Sequence, residues 1–448
     1  MRYLPHTEQD RQAMLNSLNL KSIEELFSNI PKEVRFKADL DLPEPLSELE
    51  VGLHMSSLAE KNLSLNKVAS FMGGGCYDHY IPSSIDHILS RGEFFTAYTP
   101  YQAEISQGTL QTIYEFQTMI AMLTGMDIAN ASMYDGASAL AEAALMAVSF
   151  MKKRSSIVVS SAINPLYLKV LSSYFAGKEN LELRFISASD GLTSLSELEQ
   201  AIDENTAAVL LQQPNFFGCL EPGSEIAALA HNKGAKLVVC ADPISLGILS
   251  PPGDYGADIV VGEGQSLGNS PSFGGPGVGF FAAREEFLRS MPGRIVGATV
   301  DSEGKRGFTL TLQTREQHIR REKATSNICS NQALNALAAS IYLALMGKQG
   351  IGEVADLCIQ KAHYAEEKIT ALKGFSKAFP GPSFKEFTVK CPIPAAEIVK
   401  QLLNHGILAG IDLGQFYPDM KDYLLIAVTE KRTKKEIDCL AEQLEALI

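Results

Sequence analysis

Lys236-Leu237-Val238-Val239-Cys240 closes on Ala241-Asp242-Pro243, and Ala257-Asp258-Ile259-Val260-Val261 runs into Gly262-Glu263-Gly264-Gln265-Ser266-Leu267-Gly268-Asn269-Ser270-Pro271-Ser272-Phe273-Gly274-Gly275-Pro276-Gly277-Val278-Gly279. Each begins as an unbroken apolar run of strand length, the pattern of a strand buried on both faces of a parallel sheet. Ile157-Val158-Val159-Ser160, Leu183-Arg184-Phe185-Ile186 and Ala207-Ala208-Val209-Leu210-Leu211 repeat it upstream. Helical patterns lie between them. One opens with two overlapping capping boxes, Ser194 with Glu197 and Ser196 with Glu199, only one of which can be the cap. This alternation predicts a doubly wound α/β domain with right-handed crossovers.

Three regions are expected along the 448 residues. Residues 1–65 read as an arm of helical fragments broken by prolines, as in Asp41-Leu42-Pro43-Glu44-Pro45. Residues 66–330 form the large domain, which includes a helix from Gln102 to Thr124 stopped by Gly125. Residues 331–448 form a smaller α+β domain. It has helices over Asn331–Met346, Gly350–Leu372, Pro394–Asn404 and Lys434–Leu447, and strands at Glu386–Val389 and Leu424–Val428.

Apolar residues make up 46% and charged residues 20%, an ordinary globular balance. A formal charge of −13 argues against nucleic acid or an anionic membrane as the main partner. The seven cysteines are scattered and never form a C-x-x-C pair, which indicates reduced thiols and no metal site. Met1–Glu8 is too polar for a signal peptide. The most apolar stretch, Ala137–Met151, contains Glu142 and is too short to cross a bilayer. A soluble, cytoplasmic protein is expected.

The order of strand, carboxylate, strand and Gly-rich loop resembles the fold-type-I enzymes that use pyridoxal phosphate. In such enzymes the carboxylate pairs with the pyridinium nitrogen, and a lysine in the next loop forms the Schiff base. Here Gln265 stands in the lysine's place, and a primary amide cannot form an imine. The chain therefore either does no chemistry alone or completes a site owned by another chain.

Other candidates keep two readings each. Ser138, in Tyr134-Asp135-Gly136-Ala137-Ser138, could cradle a phosphate at a helix N-terminus or simply belong to a helix cap. Asp242 could serve a pyridinium or be a relic that bonds locally. Tyr98, Tyr101 and Gln102 lie on a loop stiffened by Pro100, either reaching over a partner's cofactor or packed in an interface. His79 and His87 could be acid–base groups or hydrogen-bonded structural residues. The basic run Arg315, His318, Arg320, Arg321, Lys323 reads as a solvated or interface face, with an acidic partner as the second reading.

Four longer motifs are more specific. They are Phe71-Met72-Gly73-Gly74-Gly75-Cys76-Tyr77-Asp78-His79-Tyr80-Ile81-Pro82, the run from Phe94 to Gly108, Ala131-Ser132-Met133-Tyr134-Asp135-Gly136-Ala137-Ser138, and the run from Arg321 to Cys329. Over nearly the whole chain the sequence resembles the glycine cleavage system P-protein, glycine dehydrogenase (decarboxylating), in particular subunit 1 of its split form. The resemblance implies a partner, subunit 2, whose lysine holds pyridoxal phosphate covalently. It also implies decarboxylation of glycine and transfer of the aminomethyl group to the lipoyl arm of the H-protein. The candidate catalytic groups are then Tyr98, Tyr101, Gln102 and His79; Ser138, Asp242 and Gln265 mark the cofactor positions. A catalytically silent scaffold is the alternative. An independent enzyme using Lys233 or Lys236 is disfavoured, since both precede Asp242.

Overall fold

The computed structural model of the chain describes residues 5–36, 40–328 and 330–448, in two compact units, Met1–Leu63 and Ser64–Ile448. The first unit has helices α1 (Glu8–Ser17) and α2 (Glu48–Ala59), each started by a reciprocal capping box, Thr7 with Asp10 and Ser47 with Glu50. In α2, Leu49 and Leu53 are exposed.

The second unit is built on seven strands: β1 (Ile128–Ala129), β2 (Ser156–Ser160), β3 (Glu182–Ile186), β4 (Thr206–Gln213), β5 (Lys236–Ala241), β6 (Ile259–Glu263) and β7 (Gly279–Ala283). Their order is β1-β7-β6-β5-β4-β2-β3. Strands β2 to β6 pair in parallel, whereas β7 runs antiparallel to both β6 and β1. Residues alternate between two cores. Val209, Leu237, Val239 and Val260 face one; Leu210, Val238, Ile259 and Val261 face the other. This double burial is why the strands read as continuous apolar runs.

All five strands expected for the large domain form. Strand β7 was not anticipated, because Phe280-Phe281-Ala282-Ala283 is short and follows directly on the glycine-rich loop. Of the two overlapping boxes, Ser194 is the cap, accepting from Glu197 N. The helix expected from Gln102 starts later, at Gln107, after a 3-10 turn, and Gly125 ends it at φ 69°. Beyond a hairpin of Ile295–Val300 with Arg306–Thr311, helical residues run from Ala333 to Thr370, broken only at Gly347 (φ 59°, ψ −174°). They are the two helices expected. A four-stranded antiparallel sheet then carries Glu386–Lys390 against Tyr423–Ala427. Six cysteines are free thiols; Cys329 lies outside the described residues. Among the described residues no helix is long and apolar enough to cross a membrane.

Candidate functional site

The carboxyl ends of β4, β5 and β6 open onto a cavity of about 40 Å³, closed by the Gly75–Tyr77 segment and by Phe384–Glu386. A crevice at strand carboxyl ends is where open α/β sheets place ligands. Here the polar positions already have partners within the chain.

Asp242 follows β5. Its Oδ1 accepts from Ile244 N at 2.9 Å and Ser245 N at 3.3 Å. Its Oδ2 lies 2.6 Å from the ammonium of Lys385, a residue 1% exposed. That ammonium also sits 3.6 Å from the centre of the Tyr77 ring and 3.0 Å from His79 Nε2. An ammonium can only donate, so Nε2 accepts and the His79 proton resides on Nδ1. Nδ1 then donates to Glu430 Oε2 at 2.6 Å. Burial, followed by the Lys385 charge, holds the imidazole below the usual histidine range, so it is neutral. Burial works against ionisation of Glu430, but the bonds from His79 and from Tyr80 N hold it below the usual carboxylate range. With both ring nitrogens engaged and the residue 3% exposed, His79 presents no free lone pair to the cavity. Glu386 accepts from Gly74 N at 2.7 Å and from the Tyr77 hydroxyl at 2.8 Å; burial pushes its carboxyl up to about 7.

Glu263 ends β6 and turns its carboxylate onto the N-terminus of the helix Gly136–Met151. It accepts from Gly136 N (3.0 Å), Gln265 N (3.0 Å) and Val278 N (2.9 Å). The approach depends on glycines: a Cβ on Gly136 would lie 2.8 Å from Glu263 N, and one on Gly277 2.8 Å from both carboxylate oxygens. Ser138 belongs to the helix cap, its N–H donating to Asp135 Oδ1 at 2.7 Å and its hydroxyl bonded back to Asp135. Gln265, 4% exposed, pairs its amide with the Tyr77 backbone, accepting from N at 2.9 Å and donating to O at 3.1 Å.

The tyrosine loop lies apart from this cavity. Tyr98 is 82% exposed. Tyr101 is half exposed, and its hydroxyl accepts from Arg294 Nη2 at 3.1 Å. Gln102 is exposed at the start of the 3-10 turn. None of the three lines the cavity; of the predicted residues Asp242 alone does, with His79 linked to it through Lys385, Gln265 bonded to the lining residue Tyr77, and Ser138 capping the neighbouring helix. His87 is exposed on the short helix Ser83–Leu89. Arg315, the first member of the basic run, donates to Met291 O and Gly293 O, which makes it a fixed part of the fold.

The model of the glycine cleavage system P-protein family matches residues 1–444. A protein of Carboxydothermus hydrogenoformans described as probable glycine dehydrogenase (decarboxylating) subunit 1 is 58% identical over 444 residues, covering 99% of each chain. One of Desulforamulus reducens with the same description is 55% identical over 447 residues, covering all of both. The crystal structure of a glycine decarboxylase (P-protein) in inhibitor-bound form superposes with a TM-score of 0.91 at 43% identity over the full length of both chains. The chain belongs to the P-protein family. Likeness to a glutamate decarboxylase of Lactobacillus brevis (TM-score 0.69, 12% identity, 92% of this chain and 95% of that one) concerns the fold alone.

Fold-type-I architecture implies pyridoxal phosphate, and the seat of this P-protein chain does not fit it. Of the N–H groups at this helix N-terminus, that of Ser138 is held by Asp135 and that of Gly136 by Glu263. The carboxylate that could pair with a pyridinium is held by Lys385, and the Gln265 side chain is an amide bonded to Tyr77. The remaining cavity has room for water and not for a phosphorylated ring. Lys385, Glu263, Glu386 and Glu430 escaped the sequence reading. The available signal was ionisable residues at the borders of apolar strands, Glu263 after Ile259-Val260-Val261 and Lys385-Glu386 between Phe384 and Phe387.

Proposed function

We propose that this chain is the subunit of the P-protein that lacks the cofactor-bearing lysine, and that it works in a heteromer with subunit 2 in the cytoplasm. In that assembly subunit 2 holds pyridoxal phosphate covalently, glycine is decarboxylated, and the aminomethyl group passes to the lipoyl arm of the H-protein. The observation that carries this reading is Lys385 on Asp242, with Gln265 tied to Tyr77: the chain's own seat is taken. Meanwhile the loop bearing Tyr98, Tyr101 and Gln102 is exposed and does not line the cavity at the strand ends.

The loop then acts as one wall of the partner's cleft, with the Tyr98 hydroxyl free to donate. His79 is a structural member of the Asp242–Lys385–His79–Glu430 chain, and Ser138 is a helix cap. Residues 1–65 serve as an arm on the partner; 66–330 and 331–448 are the large and small domains. A catalytically silent scaffold is the less favoured reading.

The test is glycine–CO2 exchange with each chain alone and with both. Exchange that needs both chains supports the reading. Full exchange by subunit 2 alone would make this chain a bystander.

A further inference from the structure

We propose that Lys385 and Glu263 are built-in ligands of the former cofactor seat and close it against phosphorylated pyridines. The inference rests on the reading that this chain carries no cofactor, and it adds the residues responsible. A fold-type-I seat offers a strand-end carboxylate for a ring N–H and a helix N-terminus for a phosphate. Here the chain itself takes up the carboxylate and, at the helix N-terminus, the Gly136 and Ser138 N–H groups. The Lys385 ammonium lies 2.6 Å from Asp242 Oδ2 and 3.6 Å from the Tyr77 ring centre, supplying both the positive charge and the donor a pyridinium would supply. The Glu263 carboxylate takes three backbone N–H groups, one of them Gly136 at the helix N-terminus.

The arrangement explains a side chain that is otherwise anomalous. A lysine that is 1% exposed is costly unless it is paired, and removing one partner of a buried pair leaves an uncompensated charge. Lys385 has a carboxylate, an aromatic face and an imidazole nitrogen, which together account for its donors. Asp242 in turn keeps a cation beside it without a cofactor. The seat has therefore changed from a binding site into a polar core joining the end of β5 to the C-terminal sheet.

The probes are pyridoxine 5′-phosphate, which has no aldehyde to label surface lysines, and inorganic phosphate. With the full chain, neither should raise the melting temperature at millimolar concentration. A saturable rise with pyridoxine 5′-phosphate would overturn the proposal, even if no lysine of this chain formed a Schiff base and the proposed function stood. The second arm is Lys385→Ala, which should melt several degrees lower and be restored in part by ethylammonium and not by sodium. Lys385→Ala combined with Asp242→Asn, which removes both charges, should regain stability and lose the ethylammonium response. Parent-like melting of Lys385→Ala, or rescue by sodium as good as by ethylammonium, would show that Lys385 does not hold the seat. Should Lys385→Ala fail to fold, the parent titration and the paired variant still decide.

Discussion

Arg294 donates from Nη2 to the Tyr101 oxygen at 3.1 Å, joining a guanidinium 5% exposed to a phenol 54% exposed. The guanidinium also lies 5.4 Å from the centre of the same ring. Among the described residues this is the one side-chain hydrogen bond that reaches residues 97–102 from elsewhere in the unit. Tyr101 is thereby the loop's anchor, and Tyr98 is left free to face a partner.

Arg294→Lys keeps the charge near Glu316 but loses the planar fork, and Tyr101→Phe loses the acceptor. Each should lower exchange activity of the assembled enzyme, and the double variant should be little worse than either single one. A double-mutant cycle measures this. Losses that simply add would mean that the two residues act independently.

Tyr98→Phe should assemble like the parent and lower kcat by about 10²-fold, the scale of one donor used only in a transition state. The ring and its packing remain. Exchange activity per assembled complex is the measurement, with assembly checked separately. Parent-like turnover would favour the scaffold reading.

Deleting residues 1–63 should leave 64–448 folded, since that unit contains the main sheet and the cores on both its faces. It should weaken the heteromer, because the exposed Leu49 and Leu53 are then missing from the proposed interface. Light scattering of the mixture reads this out. Undiminished assembly would remove the arm from the interface.

Stability should also depend on Glu386. Burial raises its folded pKa from 4.5 to about 7, so the fold favours its protonated form. That contribution is full below about 4.5 and is lost as pH rises through about 7. Its upper bound is on the order of 3 kcal/mol. Glu142, also raised to about 7 by burial, acts in the same direction. In Glu386→Gln, the urea midpoint should fall less between about pH 5 and about pH 8 than in the parent. Identical slopes would show that Glu386 does not carry the effect.

The main sheet was legible because strands buried on both faces leave unbroken apolar runs, as at Ile259-Val260-Val261. That Gln265 cannot form an imine was legible because chemistry fixes which residue types can. The partner of Asp242 was not, since Lys385 lies far along the chain and reaches Asp242 only once the C-terminal sheet has packed. For Ser138 the sequence left cap and cradle open, because both begin with a small polar residue before strong helix formers. The Glu263 carboxylate at Gly136 is a long-range contact that no local pattern announces.

The central claim is that the assembled enzyme carries its cofactor on subunit 2 and not on this chain. The most direct measurement is borohydride reduction of the reconstituted complex with pyridoxal phosphate, followed by mass analysis of each chain. One cofactor mass on a single lysine of subunit 2, and none on a specific lysine here, is the predicted result. Stoichiometric labelling of one lysine of this chain would contradict it.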